Sequence, residues 1–128
     1  MSVDRRKHEF ELLSRKYGPS EHAPNLDWIL FKQFPLPSGW NAQAAELLVL
    51  IPPGYPTTPP DNFYVRNGLR LADGRIPANY SENQNVLGDP WAVFSFHAQG
   101  WNPSPSSTDG DSMLSFMIAV ERRFEERS

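Results

Sequence analysis

The segment Leu47–Val65 constrains the fold of this chain more than any other part of the sequence. It reads LLVLIPPGYPTTPPDNFYV, in which an apolar run enters a proline-rich stretch and a second short apolar run leaves it. Proline has no backbone N–H to donate to a sheet ladder, so the stretch between the two runs must be loop. The segment predicts two sheet strands joined by an ordered turn, with structural roles for Tyr55, Pro56, Pro59 and Pro60. Such crowding of prolines also predicts one cis X-Pro bond, at Tyr55-Pro56.

Periodic apolar residues predict two helices, one near each end of the sequence. In Asp4–Tyr17 the apolar residues recur at helical spacing, and a Gly-Pro pair supplies the stop. Ser112–Glu126 carries the clearer pattern, and Asp111 is a suitable N-cap for it. The apolar residues expected on the buried face of this second helix are Met113, Phe116, Met117, Val120 and Phe124.

Three or four strands are expected between the two helices. Trp28–Phe34 is rich in aromatic and branched residues, Ala44–Ile51 is apolar on both faces and hence central, and Phe63–Val65 is short. Trp91–Phe96 fits either a strand or a packed loop. The pattern from residue 66 to residue 89 is irregular, with Leu69–Leu71 as its one candidate strand segment.

Together these elements predict an α+β fold in one domain, residues 1–128. The domain has an N-terminal helix, an antiparallel meander sheet of three or four strands, and one C-terminal helix. The long polar segment Ser104–Gly110, just before that last helix, is expected to be a loop.

The composition excludes several classes of function. A net charge of −3 disfavours a nucleic-acid partner, and no apolar run is long enough to span a membrane or to serve as a signal peptide. The chain has no cysteine, and its three histidines lack ligand spacing, so neither a disulfide framework nor a metal site is expected. No Gly-x-Ser-x-Gly elbow and no glycine-rich phosphate loop is present. We therefore expect a cytoplasmic protein without a cofactor, a membrane partner or a nucleic-acid partner.

The proline-rich turn, YPTTPP in this chain, resembles the Tyr-Pro-x-x-Pro-Pro turn between two strands of ubiquitin-conjugating enzymes. The WNP sequence at residues 101–103 is similar to the Trp-Ser-Pro that precedes the corresponding helix in those enzymes. More closely, the chain resembles family E of the prokaryotic ubiquitin-conjugating-like (UBC-like) proteins through Phe34–Val65, Leu69–Arg75 and Trp91–His97. The last of these pieces typically reads Trp-x-x-Trp-Ser-Arg-His in that family. Here Phe94 replaces the second Trp and Phe96 replaces the Arg.

The resemblance implies a UBC-like fold that is truncated after one C-terminal helix, whereas the eukaryotic enzymes have two further helices. It also implies a place in a bacterial ubiquitin-like conjugation pathway of the kind associated with antiviral defence. The implied partners are a bacterial ubiquitin-like protein, an adenylating activating enzyme and a JAB-type metalloprotease.

Serine is the nearest replacement for the cysteine on which conjugating enzymes carry ubiquitin. A serine hydroxyl is a weak nucleophile unless a neighbouring base takes its proton. Ser95 and His97 provide these two groups at positions i and i+2, which share one face of an extended strand. Each has a simpler structural interpretation, a hydroxyl bonded to backbone and a packing histidine. We expect the two side chains in a shallow groove bordered by Asn79–Asn85 and Ser104–Gly110.

Conjugating enzymes also use an asparagine to stabilise the oxyanion, but the His-Pro-Asn motif that normally fixes it is absent here. Asn79, Asn83 and Asn85 are candidates for oxyanion or loop support, and turn asparagines are the alternative.

Three interpretations of the function follow. The first is a transferase that carries a ubiquitin-like protein on Ser95 as an oxyester. The second is a catalytically inactive UBC-like binding module, or adaptor, for the activating enzyme or the ubiquitin-like protein. In the third, the natural protein is a cysteine-dependent enzyme whose cysteine has been replaced in this chain. The positions to suspect are Ser95, Ala92 and Ala98.

Overall fold

The computed structural model describes residues 3–105 and 109–128, which form two helices and one six-stranded antiparallel sheet. The strands lie across the sheet in the order β1-β2-β3-β4-β6-β5. The predicted α+β class is confirmed. In chain order the elements are α1 (Val3–Tyr17), β1 (Ser20–His22), β2 (Trp28–Pro35), β3 (Ala44–Leu50), β4 (Asp61–Val65), β5 (Tyr80–Val86), β6 (Asp89–His97) and α2 (Met113–Glu125).

The expected number of strands was too small, because both edge strands of the sheet were missed. Strand β1 has three residues, too few to give a periodic pattern. Strand β5 reads YSENQNV, a polar sequence with low strand propensity in a stretch that was predicted to be irregular. It forms because Leu87 and Gly88, both at positive φ, close a tight hairpin with β6. The candidate segment Leu69–Leu71 is not a strand, since only an isolated bridge between Leu71 and Trp40 forms there.

Helix α2 packs on one face of the sheet and provides much of the core. Its apolar face is buried as predicted, and the Phe124 ring lies 5.6 Å from the rings of both Phe63 on β4 and Phe94 on β6. The predicted N-cap was wrong by one residue. Ser112 caps the helix through a capping box with Ser115. Asp111 instead accepts hydrogen bonds from the Ser115 hydroxyl at 3.1 Å and from the N–H of residue 102 at 2.7 Å.

The proline-rich turn between β3 and β4 is tied to both helices by a buried carboxylate. The Tyr55-Pro56 bond is cis, as predicted, and Tyr55 is fully buried. The Tyr55 hydroxyl donates a hydrogen bond to Glu9 on α1, whose Oε1 also accepts from the N–H of Met113 at 2.9 Å. Arg5 Nε donates to the other oxygen of Glu9 at 2.6 Å. Burial raises the pKa of the Tyr55 hydroxyl, and the neighbouring carboxylate raises it further, so this group stays a donor.

The sheet face opposite the helices carries a row of paired charges. Lys32 on β2 lies 2.9 Å from Glu21 on β1, and Arg66, just after β4, lies 2.5 Å from Glu46 on β3. The guanidinium of Arg66 also stacks over Trp91 on β6 at 3.8 Å from the ring centroid. The charges on this face therefore largely compensate one another. Within the described residues, no helix combines the length and apolar character needed to cross a membrane.

Candidate functional site

Ser95 and His97 lie near the end of β6. The side chains of β6 alternate there, with Phe94 fully buried and Phe96 packed against Phe116 of α2, whereas Ser95 and His97 are exposed. Ser95 and His97 are thus both open to solvent, while Phe94 and Phe96 pack inward. That the two side chains share one face stays a prediction, because a β-bulge lies between them. The hydroxyl of Ser95 has no hydrogen-bond partner among residues 3–105 and 109–128.

A β-bulge marks this end of the strand. Phe63 on β4 pairs with Phe94, but Asp61 pairs with His97, so β6 has one extra residue between these two pairs. Asn62, at φ 61°, lies opposite the bulge, and its Oδ1 accepts a hydrogen bond from the N–H of Phe96 at 3.0 Å. Bulges re-aim side chains and are frequent next to functional sites. Here the bulge brings the side chain of Asp61 beside that of His97.

Asp61 is the contact that sequence reasoning missed. Its Oδ1 lies 2.5 Å from Nδ1 of His97, and both side chains are about two-thirds exposed, at 62% and 66%. The only sequence signal was an aspartate directly after the Pro-Pro pair at the start of a predicted strand. The register of β4 against β6 was needed to place it beside a histidine 36 positions later.

Of the three candidate asparagines, only Asn79 lies beside Ser95. Its backbone carbonyl accepts a hydrogen bond from the N–H of Ser95 at 2.8 Å, just before β5 begins. Asn83 sits in a second bulge at φ 65° and is bonded to Asn67. Asn85 pairs with residue 90, five residues along β6 from Ser95 and therefore about 16 Å away. Of the three, only Asn79 contacts Ser95, and it does so through its backbone, so an oxyanion role for its side chain stays a prediction.

The predicted second border of the site falls on a loop that is only partly described, since residues 106–108 lie outside the described residues. Its flanks are held in place. Arg5 donates a hydrogen bond to the carbonyl of Ser104 at 2.5 Å, and Pro103 bridges to Gly110. The indole N–H of Trp101, just before the loop, donates to the carbonyl of Pro56 at 2.7 Å. The loop is thus anchored to α1 and to the proline-rich turn, and the shallow groove stays a prediction.

The three positions considered for a replaced cysteine differ in accessibility. Ala92 is fully buried in the core, Ala98 is half-buried, and Ser95 is exposed. An acyl group that a large protein partner delivers can reach only an exposed side chain. Ser95 is the one of these three positions whose side chain is exposed.

These features define an E2-like domain, that is, an α+β domain in which a helix packs on an antiparallel sheet whose strands are joined by a Tyr-Pro-x-x-Pro-Pro turn. The chain belongs to prokaryotic E2 family E, whose family profile matches residues 7–127. No curated protein and no solved structure matches the chain significantly.

Proposed function

We propose that this protein is a cysteine-free E2-like carrier, which accepts the C-terminus of a bacterial ubiquitin-like protein on the hydroxyl of Ser95. The observation that carries the proposal is the exposure of both Ser95 and His97 at the end of β6 in a chain without cysteine. Membership of an E2 family implies two partners, a ubiquitin-like protein and the adenylating enzyme that activates it. We further propose that a JAB-type metalloprotease acts in the same pathway and that the pathway serves antiviral defence.

The chemistry requires an activated acyl donor, either the acyl-adenylate or a thioester on the activating enzyme. Oγ of Ser95 attacks the carbonyl carbon of the donor while His97 takes the hydroxyl proton. The C–O bond of the ester forms, and the bond from the carbonyl carbon to AMP or to the thiolate breaks. The proton that His97 took leaves with the departing phosphate or thiolate. In the second step an amine attacks the ester, the C–O bond to Oγ of Ser95 breaks, and His97 passes the proton of the amine nitrogen to Oγ.

An oxyester is less reactive toward amines than a thioester, so the site must supply more of the rate through positioning. The N–H of Ser95 is held by the carbonyl of Asn79, and the adjacent N–H of Phe96 is held by Asn62. Asn79, just before β5, and Asn62, on β4, therefore hold the backbone that carries the nucleophile from both sides. This rigidity favours a defined approach of the acyl group to Ser95.

A binding module is the second candidate function. It is favoured by the missing cysteine and by the departure at Phe96, which stands where the family typically has an arginine and packs against the core. In that case the protein binds the activating enzyme or the ubiquitin-like protein and forms no covalent bond. The two functions differ in one observable, a covalent adduct.

The test is incubation with the cognate activating enzyme, the ubiquitin-like protein and ATP. We expect an adduct that survives thiol reductant but is cleaved by hydroxylamine or mild base, as an oxyester is. Ser95→Ala should abolish the adduct and leave binding to the activating enzyme intact. Ser81→Ala is the matched control, because Ser81 is an exposed serine on the neighbouring strand β5. His97→Ala should slow adduct formation by about 10²-fold, the scale of losing a general base.

Two outcomes contradict the proposal. An adduct that still forms on Ser95→Ala would place the acyl group on another hydroxyl or on a lysine. No adduct with the unmodified chain, together with measurable binding to the activating enzyme, would favour the binding module.

A further inference from the structure

We infer that Asp61 is a positioning residue for His97, an inference that rests on the proposed function. Its carboxylate holds the proton of the neutral imidazole on Nδ1 and leaves the lone pair of Nε2 for the hydroxyl of Ser95. The contact that carries the inference is the 2.5 Å approach of Asp61 Oδ1 to His97 Nδ1.

The backbone builds this contact. Asp61 and His97 are directly paired across β4 and β6, beside the bulge that Asn62 braces through its bond to the N–H of Phe96. Within the described residues, Asp61 and His97 have no other side-chain hydrogen bond. Within that part of the chain, the Asp61 carboxylate therefore has the His97 imidazole as its one side-chain hydrogen-bond partner.

A carboxylate has only acceptor oxygens, so the imidazole nitrogen that meets it must carry a proton. In the neutral ring this leaves Nε2 unprotonated, and the hydrogen bond at one ring nitrogen sets the state of the other. When Nε2 takes the proton of Ser95, the ring becomes an imidazolium beside a carboxylate, which stabilises the charge. A nucleophile, its base and a third group that orients the base form a recurrent arrangement for activating a hydroxyl.

The exposure of the Asp61 and His97 side chains sets how much Asp61 can contribute to the rate of adduct formation. Both side chains are about two-thirds exposed, so water screens their interaction and keeps it near the range of surface ion pairs. We expect Asp61→Ala to slow adduct formation by about threefold to tenfold, less than the loss caused by His97→Ala. The same substitution in a His97→Ala background should cause no further slowing, because Asp61 acts only through the imidazole.

The decisive readout is the ¹⁵N NMR spectrum of the histidine side chains at a pH where the rings are neutral, which identifies the protonated nitrogen without any partner protein. The unmodified chain should show the His97 proton on Nδ1. Asp61→Ala should shift His97 toward a mixture of the two tautomers. Asp89→Ala is the matched control, since Asp89 is an exposed aspartate at the other end of β6. It should change neither the tautomer nor the rate.

The possible results separate this inference from the proposed function. A His97 proton on Nε2, or a tautomer that Asp61→Ala leaves unchanged, overturns the inference even if the adduct forms on Ser95. A shifted tautomer with an unchanged rate of adduct formation also overturns it. If the unmodified chain forms no adduct at all, the proposed function fails, and the role of Asp61 in catalysis fails with it.

Discussion

Replacing Glu9 by alanine should destabilise the protein more than its position on the first helix would suggest. Glu9 is 1% exposed, and its two carboxylate oxygens accept from Arg5, from the N–H of Met113 and from the hydroxyl of Tyr55. These donors belong to α1, to the start of α2 and to the proline-rich turn. One carboxylate therefore joins three parts of the fold that are distant in sequence.

The expected loss can be derived from these contacts. Removing one partner of a buried ion pair costs about 3–5 kcal/mol, because the remaining charge stays buried. Arg5 keeps a hydrogen bond to the carbonyl of Ser104, which places Glu9→Ala near the lower end, at about 3 kcal/mol. Tyr55→Phe removes only the hydroxyl and leaves the N–H of Met113 bonded to Glu9, so it should cost about 1 kcal/mol.

Urea unfolding followed by tryptophan fluorescence measures both free energies of unfolding. Glu11→Ala is the control, because Glu11 lies on the same helix with its side chain exposed and should change the stability by less than about 0.5 kcal/mol. An unfolding midpoint of Glu9→Ala equal to that of Glu11→Ala would refute the role assigned to the buried carboxylate.

Two further predictions concern the core and the pH dependence of stability. Val120→Asp puts a carboxylate at a fully buried position of α2 and should abolish soluble folding, and a monodisperse, folded variant would count strongly against the packing described for this helix. The guanidinium of Arg70, the hydroxyl of Tyr80 and the N–H of Gly68 lower the pKa of Glu82 from 4.5 to about 2. Because the folded-state pKa is the lower one, the stabilisation is complete above about pH 4.5 and is lost as the pH falls toward 2. The difference in unfolding free energy between the unmodified chain and Glu82→Gln should therefore shrink over that range, and a constant difference would contradict this prediction.

The parts of the fold with strong local signals could be predicted from the sequence. Helix α2, strands β2, β3 and β4, and the cis Tyr55-Pro56 bond follow from periodic apolar residues and from the crowding of prolines. The N-cap of α2 was misplaced because Asp111 and Ser112 are both good caps, and only the capping box with Ser115 distinguishes them. Strand β5 was missed because its pairing with β6, rather than its own polar residues, makes it a strand.

The candidate site could be predicted only where its residues are neighbours in sequence. Ser95 and His97 share a short segment, and the sequence was enough to propose them as a pair, both of which the structure leaves exposed. Asp61 comes from another strand, so its contact with His97 depends on the sheet order and on a bulge that no local pattern indicates. The separation of Asn85 from Ser95 likewise became visible only with the register of β5 against β6.

Whether Ser95 carries the ubiquitin-like protein is tested most directly by locating the acyl group on the chain. The adduct formed with the activating enzyme, the ubiquitin-like protein and ATP would be digested at mildly acidic pH, which preserves esters, and its peptides sequenced by tandem mass spectrometry. We predict that the C-terminal residues of the ubiquitin-like protein are found in ester linkage to Ser95. Their attachment to a lysine or to another hydroxyl, with Ser95 unmodified, would contradict it.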